Sequence, residues 1–139
     1  MGEDRTMRYM LMMDYGGVES DCEPMDRWTP EELRVHFEFQ QALGAELAAT
    51  GELVDGQGLA SPDRARFVVS DGVSAPVVTD GPYPEGKELL AGYWIVDVDS
   101  PERALEIAAT MSAAPAQGGR PIKQRIEVRE VMSAPSPDQ

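Results

Sequence analysis

Basic residues are scarce in this chain. Twelve Lys and Arg stand against 25 Asp and Glu, for a formal net charge of −13. Nucleic-acid backbones are gripped by clustered Lys and Arg, so this balance argues against nucleic acid as a partner. It argues equally against an anionic membrane surface. Charge of this sign keeps a protein soluble; a basic protein partner is the sharper alternative. Cysteine is nearly absent: Cys22 is alone, so no internal disulfide can form. Its nearest basic neighbour in sequence is Arg27, which does little to favour a thiolate. An incidental thiol and a catalytic one both stay open. Histidine occurs once, at His36. One His and one Cys do not make a metal constellation, and the acids lack calcium-loop spacing, so no metal site is expected. No Gly-rich dinucleotide motif occurs, and Gly56 and Gly58 are not followed by the Lys-Ser/Thr of a phosphate loop. No cofactor is expected. No apolar run approaches the ~18 residues that span a bilayer. Glu3 and Asp4 precede a short strand-like run and not the apolar core of a signal peptide. The expectation is a cytoplasmic protein without membrane contact.

The 139 residues suffice for one domain with one packed core. An ordered core over about 6–132 is expected, with a frayed start at 1–5 and a disordered Pro/Ser tail at 133–139. Thr6 to Met13 is apolar on both pleat faces: Met7, Tyr9, Leu11 and Met13 on one, Met10 and Met12 with Arg8 on the other. A two-layer fold would leave one of those faces in water. A second copy of the chain covers it most simply, so the pattern predicts a homodimer. Asp14 to Trp28 reads as a long acidic loop, either a lid or an ordinary surface excursion.

Thr29-Pro30-Glu31-Glu32 starts a helix, with Thr29 as N-cap, Pro30 at N1 and Glu32 completing a capping box. Gly51 ends it. Leu33, Phe37, Gly44 and Leu47 project as its apolar stripe, with His36 on the flank and Gln40 near the centre. A core-facing Gln needs a hydrogen-bond partner or a wet cavity, which hints at a pocket beneath the helix. Leu53 to Leu59 reads as a short strand. Arg66 to Ser70 and Ala75 to Thr79 read as a hairpin across Asp71-Gly72, and Ala91 to Val98 as an alternating strand. Ser100-Pro101 caps a second helix with Ala104, Leu105, Ala108 and Met111 inward. In the last strand Ile122, Ile126, Val128 and Met132 are expected inward, and Lys123, Arg125, Glu127 and Arg129 outward, as at a protected edge. The order β-α-β-β-β-β-α-β, with the middle hairpin as an insertion, is a split βαβ arrangement of ferredoxin-like α+β type.

Between hairpin and strand lies Asp80-Gly81-Pro82-Tyr83-Pro84-Glu85-Gly86-Lys87-Glu88, then Gly92-Tyr93. Gly81 and Pro82 force a turn, and the charges crowd behind it. These residues, with the opening Met7-Arg8-Tyr9-Met10-Leu11, resemble the signature of the DGPF, or YCII-related, family over roughly residues 7–132. The chain departs at Tyr83, Pro84, Gly86 and Ala91, where the family usually has Phe, Ala, Thr and Gly. The resemblance implies a dimeric α+β barrel of ferredoxin-like subunits, with a pocket between sheet and helices. Shorter relatives carry a helix histidine about three turns before the terminating glycine. Counting back from Gly51 reaches Gln40, so that histidine's role does not pass directly to His36.

The groups expected to converge are His36, Asp80 and Lys87 as catalytic candidates, with Gln40, Tyr83, Glu85, Glu88 and Tyr93 as substrate-binding ones. Each has a plainer alternative. His36 can be a bonded core imidazole. Asp80 can cap its own turn, Lys87 can pair at the surface, and Tyr93 can be core. Two functions follow. One is a small-molecule enzyme without cofactor, moving a proton on a cyclic or aromatic acid in an isomerisation, elimination or cyclisation. The other is a non-catalytic accessory module that partners a protein such as an alternative sigma factor, as DGPF-type relatives suggest. A purely structural dimer is a third possibility.

Overall fold

The computed structural model describes residues 7–81 and 90–132. The expected tails at 1–5 and 133–139 lie outside the described residues, as does most of the signature turn, 82–89.

Four strands form one antiparallel sheet: β1 (Met7–Val18), β2 (Leu53–Gly58), β5 (Leu90–Val98) and β6 (Gln124–Glu130), in the order β2-β5-β1-β6. Helix α1 (Pro30–Ala49) connects β1 to β2, and α2 (Pro101–Ser112) connects β5 to β6. The architecture is α+β and ferredoxin-like. The hairpin of β3 (Arg66–Val69) and β4 (Val77–Asp80) forms a separate two-stranded sheet.

The helix starts are those the caps predict. Thr29 Oγ1 accepts from the Glu32 amide at 3.1 Å, and Glu32 Oε1 accepts from the Thr29 amide at 2.8 Å. Ser100 caps α2 by accepting from the Arg103 amide at 3.2 Å. Gly51 follows α1 with φ +81°, a conformation that costs glycine nothing.

Four details differ from the sequence expectation. First, β1 runs past Met13 to Val18 through an irregularity in its pairing, where Gly16 takes φ +80°. The acidic loop is therefore shorter than Asp14–Trp28. Second, Leu105 is exposed, and Ile107 joins Ala104, Ala108 and Met111 on the buried face of α2. Third, β6 starts at Gln124, because Lys123 at φ +57° interrupts the extended chain after Ile122. Met132, expected inward, is exposed. Fourth, α1 is rotated about its axis: Phe37 faces outward and His36 is buried.

The physical reason for that rotation is a second core. The main core holds Leu11, Leu47, Val96, Val98, Ala104, Ile107, Ala108 and Met111, with Trp94 and Leu43 packed against it. Gly44 lets α1 approach the Trp94 ring, where an added Cβ would stand 3.7 Å from Cη2. The N-terminal half of α1 packs elsewhere, on Trp28, Ala114, Ala116 and Ile122 through Leu33 and Phe39. A helix serving two cores has no single apolar stripe.

The other face of the sheet carries no helix among the described residues. Its register sets two cross-strand rows: Asp55, Ile95, Met10 and Arg129, then Gln57, Tyr93, Met12 and Glu127. Paired residues share a face. The face thus has an apolar centre of Met10, Met12, Ile95 and Tyr93 between polar outer strands.

Candidate functional site

The expected site residues fall in three separate places. His36 and Gln40 lie one turn apart on α1 and touch. His36 Nδ1 is 2.8 Å from the carbonyl of Pro115, which can only accept, so Nδ1 carries the proton. The neutral ring's Nε2 is then an acceptor, and the Gln40 amide donates to it at 3.2 Å. The Trp28 ring meets the imidazole edge-on at 5.3 Å and Phe37 does so at 5.4 Å. At 2% exposure both ring nitrogens are occupied from within the chain. The hydrogen-bond partner that Gln40 required is this imidazole.

Tyr93 stands on the helix-free face, across the sheet from α1. Its hydroxyl donates to Asp55 Oδ2 at 3.2 Å. Asp55 Oδ1 accepts from the Gly56 amide at 2.8 Å and from Gln57 Nε2 at 3.4 Å. Removal from water, then the hydrogen bond and charge of Asp55, push the Tyr93 phenol above its ordinary value. Next to this pair in the sheet, Asp97 Oδ2 lies 3.7 Å from Arg8 Nε, while its buried Oδ1 meets no hydrogen-bond donor among the described residues.

Asp80 is at the base of the hairpin, 85% exposed, and faces Arg66 Nε at 3.6 Å. Tyr83, Glu85, Lys87 and Glu88 lie outside the described residues. Among the described candidates, then, only His36 and Gln40 meet. A recess of about 280 Å³ lined by Glu19, Ser20, Asp21, Arg120, Pro121 and Lys123 touches none of them. Among the described residues, no three His, Cys, Asp or Glu side chains are placed to hold a metal ion together. No helix there is long and apolar enough to cross a membrane. Asp55 was not singled out from sequence. Its signal was weak: an acid in a Gly-rich strand, whose pairing with β5 only the fold reveals.

The antiparallel β2-β5-β1-β6 sheet with its inserted hairpin accompanies a match to the family model described as YCII-related domain, over residues 7–125. The chain belongs to the YCII-related family. The match runs from the first residue of β1 into β6, so it spans both helices and the whole hairpin. No curated protein matches the chain. Within this YCII-related domain the helix position counted back from Gly51 holds Gln40, and the histidine beneath it is a packed, doubly bonded ring.

Proposed function

We propose that this YCII-related domain binds a small cyclic or aromatic acid on its helix-free sheet face, and that a second copy of the chain closes that face. The observation that carries the reading is the row Asp55, Ile95, Met10, Arg129. Two apolar side chains sit between a carboxylate and a guanidinium. Three strand spacings of ~4.8 Å separate the outer members by about 14 Å at the backbone. A ring fits the apolar middle and its carboxylate fits Arg129, whose Nη1 is held 3.3 Å from Glu127. Tyr93 and Asp55 are the pair able to hold and pass a proton beside that ring, which supports acid–base chemistry of isomerase, lyase or cyclase type. His36, sealed between Trp28 and Phe37, supports the shape of α1 in this reading. The rim carries both signs of charge, which suits an isologous contact between two identical faces.

A thermal-shift screen of cyclic and aromatic carboxylic acids tests this. A ligand at one hundred times its Kd stabilises by about 2.7 kcal/mol, several degrees in Tm. The hit is expected to disappear in Arg129→Gln. A hit that survives this substitution, or no hit from the acids, removes the reading.

The hairpin favours a second reading. Val68, Val69, Val77 and Val78 are all more than half exposed, and the ribbon has apolar residues on both sides. Such a surface suits a protein partner, an alternative sigma factor being the class the family resemblance suggests. Under this reading Val69→Thr with Val77→Thr abolishes capture of the partner and leaves ligand response unchanged. A purified sigma factor that binds wild type and double variant alike counts against it.

A further inference from the structure

Asp55 and Tyr93 form a pair that has no donor left to give. The Tyr93 hydroxyl spends its only proton on Asp55 Oδ2. The carboxylate has no proton to offer, and its other oxygen already takes the Gly56 amide and Gln57 Nε2. What remains open at the pair are lone pairs, on the Tyr93 oxygen above all. Anything that binds there must bring a hydrogen-bond donor. A group lacking one leaves acceptors desolvated and unpaired, which costs more than the bond itself is worth.

The register places this acceptor pair at the opposite end of a row from Arg129, whose Nη1 lies 3.3 Å from Glu127. Asp55 and Arg129 end the same row, with Ile95 and Met10 between them, and Tyr93 occupies the next row beside Ile95. A ring acid lying along the row, with its carboxylate at Arg129, points its far end at Asp55 and Tyr93. We propose that the ligand is a ring acid bearing a hydroxyl on the side opposite its carboxylate, and that the Asp55–Tyr93 pair selects for that hydroxyl. This inference rests on the reading of the face as a ligand site, and adds the identity of the group that must sit at its Asp55 end.

Three probes test it on the full chain by isothermal titration: 4-hydroxybenzoate, benzoate and 4-methylphenol. Wild type is expected to bind 4-hydroxybenzoate about tenfold more tightly than benzoate, the worth of one hydrogen bond to a partly buried acceptor. Tyr93→Phe combined with Asp55→Ala, which removes both acceptors, is expected to bring the two affinities together, with circular dichroism unchanged. Arg129→Gln is expected to weaken both acids and preserve their ratio. Equal binding of the two acids by wild type overturns the inference without reference to any variant. A ratio that persists in that double variant overturns it too, since the hydroxyl is then read elsewhere. If neither acid binds but 4-methylphenol does, and the double variant abolishes it, the acid reading of the face fails and the hydroxyl selection stands. If none of the three binds, both fail.

Discussion

Gly92 pairs with Gly58 across β5 and β2, and the chains there approach closely. A Cβ built on Gly92 would stand 2.9 Å from the Gln57 carbonyl oxygen, which is backbone and cannot swing aside. Gly92→Ala is therefore expected to destabilise the domain by about 1–3 kcal/mol, the usual range for overpacking, read as a lower midpoint in urea. An unchanged midpoint would mean that the two strands part at no cost. Tyr93, the next residue, supplies a pH dependence. Its phenol is raised, first by removal from water and then by Asp55. A group raised on folding contributes stability that is complete below its unfolded value, about 10 for tyrosine, and lost as pH rises through the folded one. The stability advantage of wild type over Tyr93→Phe should hold up to about pH 10 and shrink above it. Melting curves from pH 8 to 11 in both proteins check this, and an advantage that grows above pH 10 would reverse the assignment. At this scale the sequence was a partial guide. Tyr93 was legible as a polar candidate because it follows a glycine in an alternating strand. Asp55 was not, because its meaning comes from Tyr93, 38 residues away. His36 and Phe37 exchanged their expected places because helical periodicity assumes one partner surface, and α1 has two.

Helix starts were legible because their cause is local. The Thr29 and Glu32 capping box is written within four residues and both of its hydrogen bonds form. Strand ends were less so, since β1 stops where its pairing stops and not where its apolar residues do. Least legible was the joint between the helices. Glu52 follows α1, is nearly buried, and is gripped twice by Arg103 of α2: Nε to Oε2 at 2.8 Å and Nη2 to Oε1 at 2.9 Å. Thr50 Oγ1 donates to the same carboxylate at 2.9 Å. Carboxylates so close hold the Arg103 guanidinium well above its usual value, Glu52 first and then Glu106. Arg103→Met keeps the stem and deletes the guanidinium that grips Glu52 twice. A fully buried pair so broken costs 3–5 kcal/mol; with the Arg103 side chain 35% exposed, about 2 kcal/mol is expected. Chemical denaturation measures it. A smaller loss when Glu52→Gln is made in the same chain would show that the cost lies in the charge of the Glu52 carboxylate.

For the whole molecule, the order of elements along the chain followed from the caps and turns, yet which side chains share the open face did not. The two-faced apolar pattern of Met7 to Met13 pointed to a second covering layer, and β1 does sit between β5 and β6 with Met10 and Met12 away from the helices. Pairing then adds Ile95 and Tyr93 beside them, with Arg129 and Glu127 on one flank and Asp55 and Gln57 on the other. An apolar centre with a polar rim is how a protein interface is built. If a second copy closes this face, a charge at its centre should separate the copies without unfolding either. Met12→Lys fits that purpose, because Glu127 lies directly across the strand pair and can accept the ammonium in the separated chain. Light scattering at micromolar concentration should give twice the 15.2 kDa chain mass for wild type and the single mass for Met12→Lys, with matching far-ultraviolet spectra. A wild type already at the single mass would remove the dimer. A Met12→Lys protein still at twice the mass would move the interface off this face, and the exposed valine ribbon of β3 and β4 would be the next surface to change.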